Sequence, residues 1–179
     1  FRLSPRAIAL PTVLMASFLL AAPSQASNLG WQSVAASCAP TAASSKLANM
    51  PVTKFGGLTT GAVGFKSGEV GTITLVCPVD INFTGTNSLD QLSLVARDNT
   101  PAGSVTATLM RMDKNTGVSE SLGSVTSVDA AGINTRTMGF TPTLINFFTH
   151  GVYVVLKISR SDPLADVQAN MAYMNAFIP

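Results

Sequence analysis

One histidine, two cysteines and nine carboxylates are the conventional catalytic groups of this 179-residue chain, and their spacing limits the chemistry they could do. A Ser or Cys nucleophile needs a base within hydrogen-bond reach, usually an imidazole. His150, in Phe147-Phe148-Thr149-His150-Gly151, is the only imidazole, and it stands just before an apolar alternating run, where it reads as a turn residue. No Gly-x-Ser-x-Gly elbow, Ser-x-x-Lys, His-Glu-x-x-His or phosphate-cradling Gly-Lys-Ser/Thr pattern occurs. Glycoside cleavage needs two carboxyl groups flanking the scissile bond. Glu69, Glu120 and the seven Asp residues are available, but Asp98, Asp113 and Asp129 fall among turn residues, where Asx side chains bond the local backbone. The expectation is a protein that is not an enzyme and holds no cofactor.

Metal binding fares no better. Cys38, Cys77 and a distant His150 lack the clustered ligands that zinc requires. Asp113-Lys114-Asn115-Thr116-Gly117 matches the first half of a calcium loop, but Ser124 stands where the bidentate Glu belongs and the flanks read as strands. A plain hairpin turn is expected there, and no metal. Asp80, Asn82 and Thr84 form a second oxygen-rich loop, in which Asn82-Phe83-Thr84 fits the N-glycosylation pattern.

Binding chemistry has more candidates. Sugar-binding modules stack rings on exposed aromatics. Tyr153 lies opposite the apolar Val154 and Leu156 positions, so it points toward solvent in a strand reading, while Trp31 reads either as a lid over the core or as a ligand platform. Asp98 and Asn99 in the segment Asp98 to Gly103, and Asp113 and Asn115 in Asp113 to Gly117, are the polar loop candidates, with Asp80 to Ser88 as a third loop. The expectation groups these loops at one end of the fold.

The N-terminus bears on compartment. Arg2 and Arg6 precede an apolar run from Ala7 to Ala22, closed by Pro23, Ser24, Gln25 and Ala26, which is the order of a signal peptide cleaved after Ala26. A spanning helix needs ~20 apolar residues, and this run is shorter and interrupted by Pro11. Removing residues 1–26 leaves 179 − 26 = 153 residues, with 11 − 2 = 9 cations against 9 anions. A neutral chain with 11% charged residues lacks the cationic excess of a nucleic-acid binder, and 46% apolar content argues against disorder. Secretion or periplasmic export places Cys38 and Cys77 in an oxidising compartment, where one disulfide is expected.

The elements that must position these residues are strands. From Gly61 onward, runs rich in Val, Ile, Thr and Phe alternate with Gly, Asn, Asp and Pro clusters. Ile73, Leu75 and Cys77 share one face of a strand; Leu92, Leu94 and Ala96, then Val105, Ala107 and Leu109, then Val152, Val154, Leu156 and Ile158 do the same. Val167, Ala169, Met171 and Tyr173 read as the inward set of the last strand. Helical spacing is absent after Gly61. The fold class is all-β, an antiparallel β-sandwich of about seven to eight strands, immunoglobulin-like or jelly-roll, built on residues 61–179 after an irregular segment 27–60.

The spacing of Cys38 and Cys77 resembles that of the cysteine pair in exported pilin domains that assemble by strand donation. Such a resemblance implies a groove filled by a neighbour's strand. The chain departs from that family at Ser27 to Ser37, which is not an alternating apolar donor strand, and at Asn175-Ala176-Phe177-Ile178-Pro179, which lacks a penultimate Tyr. The leading expectation is a non-catalytic extracellular or periplasmic module that binds a carbohydrate or a protein surface. It has no nucleic-acid partner and no membrane span after leader removal. The alternative is a self-assembling subunit of a surface appendage.

Overall fold

A computed structural model describes residues 28–50, 61–79 and 86–177. The leader and the Asp80, Asn82 and Thr84 loop lie outside the described residues. The strands in chain order are β1 (Asn28–Val34), β2 (Ala39–Pro40), β3 (Ala48–Asn49), β4 (Val63–Phe65), β5 (Gly71–Pro78), β6 (Thr86–Asp98), β7 (Gly103–Asp113), β8 (Ser119–Thr126), β9 (Ala130–Asn146), β10 (His150–Arg160) and β11 (Val167–Phe177). Single 3-10 turns at Ala35–Ser37 and Ser44–Lys46 break the early part.

Period-two alternation with one apolar face forces each sheet to cover that face with another layer. Two antiparallel sheets result. The first has the order β3-β4-β11-β6-β9, with β1 added beside β11, and the second has the order β2-β5-β10-β7-β8. Four nested antiparallel pairs organise the body: β4 with β11, β5 with β10, β6 with β9 and β7 with β8. β10 also pairs with β7, and β11 with β6, so the nested ribbon is wrapped over itself. That wrapping is a jelly roll, which settles the choice that strand counting leaves open.

The core lies between the sheets. Leu89, Leu92 and Leu94 from the first sheet face Ile73, Leu75, Leu109, Val154, Leu156 and Ile158 from the second, and none of these is accessible to solvent. Burying one such side chain contributes roughly 1.5–3 kcal/mol, so these rows fix the sheet faces. β11 departs from the expected alternation. Its register with β6 shifts between Ala169 and Met171, so Ala172 and Met174 turn inward and Met171 and Tyr173 are only half-buried. An extra residue in a strand exchanges its two faces downstream.

The segment 27–60 also departs from expectation, because it carries β1. β4 pairs with β11 only at Gln168 and Ala169, leaving the rest of that edge open, and β1 fills it from Val34 opposite Met171 to Asn28 opposite Phe177. Backbone pairing along an open edge needs no alternating apolar pattern, so the sequence carries no period there. Trp31 turns inward opposite Met174 and is 6% exposed, which makes it a core lid and removes it as a ligand platform.

Cys38 and Cys77 are bonded, with an S–S distance of 2.01 Å. Cys77 lies on β5 in the second sheet, whereas Cys38 follows β1 of the first sheet by one 3-10 turn. Cys38 directly precedes β2, whose Ala39 is opposite Val76 of β5, so the bridge fastens the chain to the second sheet where it arrives from the first. One end of the sandwich is sealed as well. Arg160, 9% exposed, donates from Nε to the Glu69 carbonyl at 2.7 Å, from Nη2 to the Lys66 carbonyl at 3.0 Å and again to Glu69, and its guanidinium lies 4.6 Å from the Phe65 ring centroid. At the same end Asp98 is buried, and its Oδ2 accepts the Ser127 hydroxyl at 2.5 Å.

The loop closed by the disulfide spans 39 residues, so losing the crosslink should cost about 4 kcal/mol through the unfolded chain and lower melting by roughly 10 °C. A melt of the Cys38→Ala, Cys77→Ala protein beside the wild type checks this. Identical melting of the two would contradict it.

Candidate functional site

At the end opposite Arg160 the inward rows run beyond the core and change character. The β7 row Val105, Ala107, Leu109 continues as Arg111 and Asp113, and the β10 row from Ile158 back to Val152 continues as His150. Arg111 is opposite Val152, Asp113 is opposite His150, and Glu120 of β8 is opposite Arg111. Directly paired residues share a sheet face, so four ionisable side chains stand on the core-facing side of the second sheet. With Thr116 and Val118 they line an open cavity of about 390 Å3, within the ~300–1,000 Å3 of small-ligand sites.

Their local chemistry is partly spoken for. Arg111 Nη2 pairs with Glu120 Oε1, and both side chains stay substantially exposed, so solvent screens the pair. Asp113 Oδ1 accepts the backbone N–H groups of Asn115 at 2.7 Å and Thr116 at 3.0 Å. The hydrogen bonds from the Thr116 and Asn115 amides, helped by the nearby His150 charge, hold the Asp113 carboxyl below its ordinary value of 3.8. His150 Nδ1 lies 2.8 Å from the Thr149 hydroxyl.

Two turns build the rim. Gly117 closes the first, from Asp113 to Gly117, at a φ of 72°, and its N–H donates to the Asp113 carbonyl at 2.8 Å. Asn146 starts the second, accepting the Phe148 N–H at 3.0 Å. Lys114 joins them, donating its backbone N–H to the Thr149 carbonyl at 2.9 Å and its Nζ to the Phe147 carbonyl at 2.7 Å. Phe148 and Val118 remain 75% and 66% exposed on this rim.

The sequence candidates are distributed differently from expectation. Asp113 lines the cavity, and Asn115 is exposed on the turn that forms it. Asp98 and Asn99 lie at the far end, because β7 joins their turn to the Asp113 turn and eleven strand residues span about 37 Å. Asn99 is exposed there, whereas Asp98 is 4% exposed and committed to Ser127. Tyr153 is half-buried on the outer face of β10, between Pro78 and Met110. Asp113 Oδ1 is engaged by turn amides, so the Asp-x-Asn-x-Gly segment acts as a hairpin turn. Among the described residues no group of three or more His, Cys, Asp or Glu is placed to hold a metal ion, and no helix is long and apolar enough to cross a membrane. Arg111, Glu120 and His150 were not singled out as ligand contacts. Extending the β7 and β10 alternation by one or two residues reaches Arg111, Asp113 and His150.

Asp113 binds its proton less readily when folded, so its contribution to stability is present above pH 3.8 and is lost as the pH falls from there through the lowered native value. Urea melts of wild type and Asp113→Asn should therefore differ at neutral pH and converge in acid. A gap that stays constant through that range would contradict the assignment.

No protein-family model matches the chain, and no curated protein matches it. Among solved structures it is similar to a chain in the structure of the infectious bursal disease virus Gt strain, at 14% identity and a TM-score of 0.36 over 93% of this chain. A chain of the Gx strain of that virus matches at 12% identity and a TM-score of 0.37 over 84% of this chain. The chain spans 35% and 32% of the lengths of those two viral chains.

Proposed function

We propose that the protein is an exported, non-catalytic jelly-roll module that binds a carbohydrate in the cavity at the open end of the sandwich. The observation that carries this reading is the placement of Arg111, Asp113, Glu120 and His150 on core-facing positions just past the core. Sugar hydroxyls both donate and accept, which suits carboxylate acceptors set among guanidinium and imidazole donors. Phe148 and Val118 supply apolar surface beside them. Export is supported by the leader pattern of residues 1–26 and by the disulfide, which belongs to an oxidising compartment.

A strand-donating appendage subunit is the second reading. The observation behind it is the β11 edge that the short β4 leaves open, which the chain fills with its own β1. With that edge occupied from within, the binding module is expected to be a monomer, whereas polymers growing with concentration would favour the appendage.

Screening the secreted protein on immobilised glycans, followed by calorimetry, tests the first reading. Arg111→Ala and His150→Ala should each weaken the selected glycan about tenfold while leaving melting nearly unchanged. Unaltered affinity in both variants would remove the cavity from the function. Mass spectrometry of the secreted chain should show a start at Ser27, and retention of residues 1–26 would overturn the export reading.

A further inference from the structure

The turn that joins β10 to β11 places a carboxyl group beside its own peptide bond. Asp162-Pro163 is the single Asp-Pro step in the chain. Residues 161–164 are exposed, Leu164 at 90%, whereas Arg160 and Ala165 on either side are buried. Both flanks are clamped. Ser161 donates its backbone N–H to the Ala102 carbonyl at 2.9 Å and its hydroxyl to the same oxygen at 3.2 Å, and Arg160 Nη1 reaches the Ala165 carbonyl at 3.5 Å. The exposed tip is therefore short and fixed at both ends.

Two backbone amides act on Asp162. The Ala165 N–H donates to its carbonyl oxygen at 3.0 Å, and the Leu164 N–H donates to its Oδ1 at 2.9 Å. Its Oδ2 has no hydrogen-bond partner among the described residues, and neither ion pair there includes it. Attack by this carboxyl group on the Asp162 carbonyl carbon closes a five-membered ring, an intramolecular step with the advantage of proximity. The Ala165 amide already faces the oxygen on which negative charge develops. Pro163 supplies a tertiary amide nitrogen, which departs as a secondary amine.

We propose that the Asp162–Pro163 bond is an acid-triggered self-cleavage site. A carboxyl oxygen of Asp162 bonds to the Asp162 carbonyl carbon, the bond from that carbon to the Pro163 nitrogen breaks, and the nitrogen takes a proton from the solvent. The cyclic anhydride left on Asp162 then adds one water and opens to two carboxyl groups. The products are the chain up to Asp162 and a peptide of 179 − 162 = 17 residues that starts at Pro163. That peptide carries all of β11, which pairs with β1, β4 and β6. The cut protein therefore keeps its last strand by pairing alone.

The test holds the secreted protein at pH 4 and at pH 7, follows its fold by circular dichroism, and reads masses under denaturing conditions. At pH 4 the peptide starting at Pro163 should accumulate about tenfold faster than at pH 7, and about tenfold faster than from urea-unfolded protein at the same pH. Asp162→Asn keeps an oxygen for the Leu164 amide but has no carboxyl nucleophile, and Pro163→Ala leaves a secondary amide. Each should slow cleavage about tenfold, whereas Leu164→Ala should be cut like the wild type. Size-exclusion chromatography of the cut native protein should carry the peptide with the body. The proposal is overturned if no product starts at Pro163, if unfolded protein is cut as fast as folded, or if Asp162→Asn is cut at the wild-type rate. Products starting elsewhere in the turn, or cleavage lost in Leu164→Ala, would show a contaminating protease and overturn it equally.

Discussion

The pairing of β7 with β10 in one unbroken register governs the rest of the molecule. Because successive strand residues face opposite ways, that register assigns every side chain of the two central strands either to the core or to the outer surface. The same rows then give three environments: Arg160 under Phe65 at one end, aliphatic residues in the middle, and Asp113 opposite His150 at the other. A slip of one residue would turn Lys157, Thr106 and Thr108 toward the core and Leu109 and Leu156 into water, so the register is strongly enforced.

The sides of the sandwich are managed by other means. Along one side β4 is too short to cover β11, and β1, the Ala35–Ser37 turn and the Cys38–Cys77 bridge together close the gap. Along the other, the register of β9 against β6 is interrupted between Leu89 and Gln91. There Phe140 folds over Gly123 of β8, where a Cβ would lie 3.2 Å from the ring. Pro142 in the same irregular stretch withholds a backbone donor from that edge, which discourages pairing with another chain.

Much of the fold was legible because burial wrote itself into the sequence as alternation. Ile73, Leu75 and Cys77, and likewise Val105, Ala107 and Leu109, are inward as their spacing requires. The face of Met171 and Tyr173 was not legible, since the β11 irregularity that reverses it has no local sequence signal. Strand order was hidden for a related reason: β4 meets β11 across about a hundred residues, and no short-range pattern encodes such a meeting. β1 escaped notice because backbone atoms hold it, and backbone atoms are the same in every residue. For the site, Asp113 was visible as a turn residue. Its neighbours Arg111, Glu120 and His150 come from three strands and are brought together only by pairing.

Lys114 ties the turn after β7 to the turn before β10 through one backbone and one side-chain hydrogen bond. The tip of the β7–β8 hairpin and the loop that carries the chain from β9 in one sheet to β10 in the other are thereby joined into a single lip. A ligand bound there in the proposed manner would meet turns already tied to each other, so less ordering entropy would be spent on binding than if each turn had to be fixed separately.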